Sequence, residues 1–231
     1  MVSNGQFERR MKAVIFDMDG VIVDSEPRHE RAFSEVAKEI GFENHGLQFA
    51  DYVGRSDHDL WVDFVARHHP PVPFEQLMAM KRNRVVEIIR KDKPLFAGLL
   101  DLVRSLAGVY RLGLASGSER EVVEEVLEIE GLRGYFTAVV SASPVVRGKP
   151  APDMFLRAAE LLGVPNLDCW VIEDSKPGIA AGLAAGMKVI AITNTHPAGE
   201  LSNATWTVSN YDEIRRLLLE GNTSSMASPS A

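Results

Sequence analysis

The stretch "KAVIFDMDGVIVDSE", residues 12–26, opens on an apolar run, Ala13 to Phe16, and then breaks into Asp17 and Asp19. Gly20, a second apolar triplet and Asp24 follow. No polar residue alternates with the apolar ones, so the run reads as a short strand covered on both faces. Two carboxylates on the end of such a strand are costly to bury without a partner. Taken alone, the pair is as readily a turn in which Asp bonds its own backbone. The rest of the chain has to decide.

Five further runs of the same kind follow: "RLGLAS" (111–116), "TAVVS" (137–141), "CWVIED" (169–174), "KVIAIT" (188–193) and the shorter "TWTV" (205–208). Helical patterns lie between them at 119–130, 153–163 and 176–186. Ser118 is placed as an N-cap and Gly131 as a stop for the first of these. Pro152 and Gly163 bracket the second, with Pro at the start and Gly at the end. This alternation predicts an α/β fold, a doubly wound, Rossmann-like and mainly parallel sheet. Residues 25–92 break the rhythm. They hold no good strand and read as three helices, "PRHERAFSEVAKEIG", "DHDLWVDFVARHH" and "FEQLMAMKRNRVVEIIRK". The expected organisation is a core of 1–24 plus 93–221, a helical insert of 25–92 above the end of the first strand, and a disordered Ser-rich tail at 222–231. Hinges are expected near Asp24–Ser25 and at 91–96.

The totals narrow the function. With 231 residues, 45% of them hydrophobic, the chain can bury a substantial core. A net charge of −7 without a basic cluster argues against a nucleic-acid surface. No apolar run approaches the ~20 residues that span a bilayer, so no membrane role is expected. The N-terminal "MVSNGQFERRM" has no apolar core of a signal peptide. The single cysteine, Cys169, excludes an internal disulfide and a cysteine metal cage, which suits the reducing cytoplasm.

In open parallel sheets, ligands bind outside the carboxyl ends of the strands. The first strand ends in Asp17 and Asp19. "RLGLAS" ends in Ser116, followed by Gly117 and Ser118; "CWVIED" ends in Glu173 and Asp174. "GKPAPD" sets Lys149 before a helix. Each has a bland reading: the serines and the Glu173–Asp174 pair as helix caps, Lys149 as a solvated amine. Their coincidence at four strand ends is the inventory for holding Mg²⁺ and a phosphate together, hard oxygen ligands for the cation and donors for the anion.

"DMDGV" (17–21), "ASGS" (115–118), "GKPAPD" (148–153) and "VIEDS" (171–175) resemble the four motifs of the haloacid-dehalogenase-like hydrolases, in order and spacing, from about residue 12 to 215. Within that family the chain is most similar to the β-phosphoglucomutase and phosphoglycolate-phosphatase-like branch, whose helical insert is called a C1 cap. The resemblance implies a phosphatase with Asp17 as nucleophile and Asp19 as acid/base. It implies Mg²⁺ held by the Asp17 carboxylate, the Asp19 backbone carbonyl and Asp174, with Glu173 acting through water. Ser116, Gly117, Ser118 and Lys149 would bind the transferring phosphate. The dehalogenases that name the superfamily lack the second aspartate, so "DMD" favours phosphoryl transfer. A Walker-B reading is undercut by the absence of G-x-x-x-x-G-K-[ST].

Substrate choice would fall to the cap, where His29, Arg55 and Lys81 are the candidates. For His29 the alternative is a surface histidine, for Arg55 a surface arginine, and Lys81 in "MKRNR" reads best as a solvated helical face. The mutases carry a Lys-Gly-x-Ser-Arg run where this chain has "DYVGRS", which puts a phosphatase of a small phosphorylated metabolite first and a phosphosugar mutase second. A non-catalytic binding protein ranks last, since Asp17, Asp19 and Lys149 are all present. A phosphonate hydrolase would need a cap lysine for a Schiff base, with Lys81 the one to check. The branch resemblance also implies a monomer.

Overall fold

The computed structural model describes residues 11–52, 57–142 and 147–220. Six parallel strands form one sheet: β1 (Ala13–Phe16), β2 (Arg111–Ala115), β3 (Phe136–Val140), β4 (Cys169–Glu173), β5 (Lys188–Ile192) and β6 (Trp206–Val208). Their order is β3-β2-β1-β4-β5-β6. The apolar run that opened the sequence is therefore central, paired with β2 on one side and β4 on the other. All four of its residues are fully buried. The strand's period of two sends Val14 and Phe16 into one apolar layer and Ala13 and Ile15 into the other. Phe16 meets Phe136 edge-on, with ring centroids 5.7 Å apart; burying such a side chain contributes about 1.5–3 kcal/mol.

Helices cover both faces. On the side of Phe16 lie α4 (Leu99–Ala107), α5 (Arg120–Glu128) and α8 (Tyr211–Leu219); on the side of Ile15 lie α6 (Asp153–Leu162) and α7 (Lys176–Ala184). Neither α4 nor α8 was picked out from the sequence, although each buries an apolar stripe, Leu99, Leu102, Val103 and Leu106 in the first and Tyr211, Ile214 and Leu218 in the second. The helix expected at 119–130 stops at Glu128. Glu130 and Gly131 take φ of +50° and +70°, which no continuing α-helix accommodates, and a 3₁₀ turn carries the chain to Gly134. Ser118 does not cap α5: Glu119 holds the N-cap position, and the Ser118 hydroxyl is directed elsewhere.

Between β1 and α4 the chain forms the inserted helical cap, α1 (Glu26–Glu39), α2 (Asp57–His68) and α3 (Phe74–Asp92). Phe33, Val36, Leu60, Trp61, Phe64 and Leu77 give it a core of its own. Phe33 packs edge-to-face on both Trp61 and Phe64. The two connections to the sheet run side by side. Val23 and Leu95 form an antiparallel bridge, and the Asp24 N–H donates to the Pro94 carbonyl at 2.9 Å. Arg55 and the tail at 222–231 lie outside the described residues. No described helix is long and apolar enough to cross a membrane.

Candidate active site

The connection from β3 to β4 returns across the sheet, so the topological switch point lies between β1 and β4, and the crevice opens beyond their carboxyl ends. Phe16 registers with Ile172 across that pair. One residue on, Asp17 and Glu173 therefore stand side by side, with the Asp17 N–H bonded to the Ile172 carbonyl at 2.9 Å. Asp17, Glu173 and Asp174 are all buried.

The Lys149 ammonium lies between the strand ends, 2.6 Å from Asp17 Oδ1 and 2.5 Å from Glu173 Oε1. The Asp17 contact is a short, buried ion pair. Glu173 has further partners. Its Oε2 accepts from the Asp174 N–H at 2.8 Å, the Ser175 N–H at 2.9 Å and the Ser175 hydroxyl at 2.9 Å. Ser175 in turn caps α7 by accepting from the Gly178 N–H. Gly178 has no side chain because a Cβ would fall 1.7 Å from Glu173 Oε1.

Burial raises the Asp17 carboxyl well above the ordinary range, Lys149 opposes that rise, and Glu173, Asp174 and Asp19 add to it. Asp174 is pushed up to about 7, chiefly by burial and then by Glu173. Thr195 Oγ1 donates to Asp174 Oδ2. Acids crowded this closely favour a cation among them. Oxygens of Asp17, Glu173 and Asp174 lie within 4.8 Å of one another, hard carboxylate donors of the kind that hold Mg²⁺. This donor set, three buried carboxylates and no soft ligand, fits a divalent cation.

The Asp19 carboxyl stands outside that acidic cluster. Its Oδ1 accepts from Ser25 Oγ at 2.6 Å, and its Oδ2 from Ser118 Oγ at 2.8 Å and Ser116 Oγ at 3.1 Å. Ser116 and Ser118, expected at a phosphate, thus also hold the second aspartate. Ser25 was expected only at a hinge; as the residue before α1 it reaches back over the turn that carries Asp19. Gly117 lies between the two serines with open space where a Cβ would be.

The turn depends on Gly20, which has φ +76°. A Cβ there would lie 1.9 Å from Asp174 Oδ2. Gly20→Ala is expected to cost about 1–2 kcal/mol in backbone strain alone, lowering Tm by about 2–8 °C. It should also weaken Mg²⁺ binding by moving Asp174; calorimetric titration with Mg²⁺ and a thermal melt check both.

In the cap, Lys81 is not solvated. It is 1% exposed, and its Nζ is hydrogen-bonded to His29 Nδ1 at 2.9 Å. His29 lies one helical turn beyond Ser25, its N–H bonded to the Ser25 carbonyl at 2.9 Å. The pair is therefore attached to the same helix start that touches Asp19. Sequence reading missed Ser25, Thr195, Asn194 and Tyr211 as parts of the site; of these, only Ser25 carried a signal, its place directly after Asp24.

The site thus combines a doubly wound sheet, a buried aspartate just past its central strand, a lysine beside it and an inserted helical cap. Residues 11–186 match the family model described as "haloacid dehalogenase-like hydrolase". The chain belongs to that family. A fructose-1-phosphate phosphatase of Escherichia coli is 34% identical over 187 residues, covering 79% of this chain and 97% of that protein. A β-phosphoglucomutase of Bacillus subtilis is 31% identical over 195 residues, covering 81% and 85%. The crystal structure of a family IA, variant 3 hydrolase from Entamoeba histolytica superposes with a TM-score of 0.77 at 25% identity, covering 88% of this chain and 95% of that one. The expectation of an enzyme of the hydrolase class holds, and phosphatases are among its relatives.

Proposed function

We propose that the protein is a Mg²⁺-dependent phosphatase of a small phosphorylated metabolite, a sugar phosphate or a phosphoglycolate-like ester. The observation that carries this is the division of labour between two carboxylates two residues apart. Asp17 sits among Lys149 and the acidic cluster, while Asp19 sits apart among three hydroxyls. A single anion-binding site would need only the first environment. Two environments suit a nucleophile and a separate acid/base.

An Asp17 oxygen attacks phosphorus in line. The bond from phosphorus to the ester oxygen breaks, and that oxygen leaves with the proton of Asp19. Water then attacks the aspartyl-phosphate and gives its proton to Asp19. The bond from phosphorus to Asp17 breaks, releasing inorganic phosphate. The hydroxyls of Ser25, Ser116 and Ser118 can each donate or accept, so the same cradle serves Asp19 with and without its proton. Lys149 neutralises oxygens of the transferring group. Glu173, locked by the start of α7, holds Lys149 at its place. Asp17, Asp174 and the Asp19 carbonyl, with Glu173 nearby, would hold Mg²⁺, which would supply charge neutralisation between the anionic nucleophile and the anionic phosphate.

His29, with the buried Lys81 at its Nδ1, is assigned to the alcohol portion of the substrate, and Arg55 is assigned to the same role. The relatives favour a sugar phosphate. The enzyme acts as a monomer in the cytoplasm. The buried Cys169 thiol, pushed up to about 11 mainly by burial, is inert, as suits a reducing compartment.

A panel of phosphate esters with and without Mg²⁺ tests this reading. Phosphate release from at least one sugar phosphate, abolished by chelation, is the expected result; no release from any ester would overturn it. The mutase similarity keeps a second reading open. Conversion of β-glucose 1-phosphate to glucose 6-phosphate with a bisphosphate primer, without net phosphate release, would establish that reading instead.

A further inference from the structure

The turn that carries Asp19 closes tightly on itself. The Ile22 and Val23 N–H groups both bond the Met18 carbonyl, at 2.7 and 3.1 Å, and the Gly20 N–H bonds the Val23 carbonyl at 2.9 Å. Two carbonyls of the turn, those of Gly20 and Val21, face away from it toward the loop after β5 and the start of α8. Asn194 Nδ2 donates to the Gly20 carbonyl at 2.8 Å, and the Tyr211 hydroxyl donates to the Val21 carbonyl at 2.6 Å. Asn194 Nδ2 also donates to the Tyr211 oxygen at 2.8 Å. The result is one directed chain, amide to phenol to carbonyl, in which Tyr211 spends its proton on Val21 and accepts from Asn194.

This arrangement is built rather than incidental. Tyr211 is 6% exposed, and it lies 190 residues from Val21 in the sequence. Its position is set from outside the site: Asn210 caps α8 by accepting from the Glu213 N–H, and the Tyr211 ring packs near Phe96, whose N–H bonds the Ile22 carbonyl. Burial pushes the phenol pKa up, so the hydroxyl stays a donor. The next residue after Asn194, Thr195, donates to Asp174. One loop thus touches both the turn beyond Asp17 and the acid at the end of β4.

We propose that Asn194 and Tyr211 are positioning residues that aim the Asp19 carboxyl at the leaving oxygen, acting through the Gly20 and Val21 carbonyls. This rests on the reading of Asp19 as the acid. Asp19 directly precedes Gly20, so a rotation of the Gly20–Val21 backbone swings its side chain. A displacement near 1 Å can cost about 10²-fold in rate.

The consequence depends on the leaving group. When phosphorus passes to Asp17, the electron pair of the broken bond stays on the ester oxygen. A sugar alkoxide must take a proton from Asp19 as it leaves, whereas p-nitrophenolate leaves without one. Misaiming Asp19 therefore penalises the alkyl ester selectively. A general loss of structure penalises both esters alike.

The test uses the full chain with Mg²⁺ and measures kcat/KM for p-nitrophenyl phosphate and for the best sugar phosphate. Wild type, Tyr211→Phe, Asn194→Ala and, as the reference, Asp19→Asn are compared. Tyr211→Phe and Asn194→Ala are each expected to lower kcat/KM for the sugar phosphate by about 10–100-fold, and that for the aryl ester by less than about threefold. The ratio of the two constants does not depend on how much of a preparation is folded, so a variant of reduced stability still gives a valid result. Equal losses on both esters, or no loss on either, would overturn the proposal while Asp19→Asn remains selective. Asp19→Asn without selectivity would overturn the acid reading and the proposal with it. A wild-type protein that turns over neither ester would overturn the phosphatase reading.

Discussion

Asp17→Asn is expected to lower phosphate release by on the order of 10⁴-fold or more, since removing a covalent nucleophile leaves only binding and electrostatics. The amide matches the carboxylate in shape, so the turn, the N–H bond to Ile172 and the strand register should persist. The amide nitrogen is not a nucleophile, and the neutral amide oxygen is a poor one. Stability should move the other way. The Asp17 carboxyl is raised first by desolvation and then by three neighbouring acids, with Lys149 in opposition. A neutral side chain at that point removes repulsion as well as attraction, and Glu173 remains as the partner of Lys149. The melting temperature of the metal-free variant should therefore equal or exceed that of the parent. Stopped assays for phosphate and a calorimetric melt measure both. Turnover within about tenfold of the parent would remove Asp17 from the mechanism.

Lys149→Met is the complementary case, with loss expected in both readouts. The ammonium is mostly buried between Asp17 and Glu173, with the Phe155 ring 5.4 Å from it. Methionine fills a similar volume without the charge. Asp17 and Glu173 are then left buried beside each other without a counter-charge. Removing one partner of a buried ion pair costs about 3–5 kcal/mol. The lower end is expected here, because the Glu173 carboxylate keeps its bonds from the Asp174 and Ser175 N–H groups. Activity should fall by about 10²–10³-fold, as when one fixed donor to a developing charge is lost. Added Mg²⁺ should restore part of the lost stability, because it places positive charge among the same carboxylates, and it should stabilise the variant more than the parent. Urea melts with and without Mg²⁺ decide this. A variant as stable as the parent, and indifferent to Mg²⁺, would show that Lys149 is not the counter-charge of the cluster.

The core of the site was legible because the chemistry sits where strand patterns end. Asp17, Glu173 and Asp174 each follow an unbroken apolar run, and the parallel register brings those ends together without further information. Lys149 was legible from its motif. What escaped was chemistry that depends on contacts between distant parts of the chain. Tyr211 and Thr195 carry no local signature, and their partners lie 190 and 21 residues away. Ser118 had the right spacing for a helix cap, yet its hydroxyl is spent on Asp19, which the local pattern does not encode. Lys81 stands among charged neighbours that suggest solvent, but His29, 52 residues earlier, meets it in the interior. The helices α4 and α8 show the complementary limit: their apolar stripes are present in the sequence, but α4 follows the cap helices and α8 follows the last strand, so neither falls between two strands of the alternating pattern.

The paired connections between sheet and cap have a mechanical consequence. Val23 and Leu95 are bridged, and Asp24 is bonded to Pro94. The cap is held to the sheet at a second place as well: Val85, Ile88 and Ile89 of α3 are buried in the same apolar layer as Phe16, and Arg90 pairs with Glu125 of α5 at 2.6 Å. Any turn of the cap about the bridged connections has to part that ion pair and uncover those side chains. The bridge and the packed helix together therefore hold Ser25, and the hydroxyl it lends to Asp19, at a fixed height over the strand end.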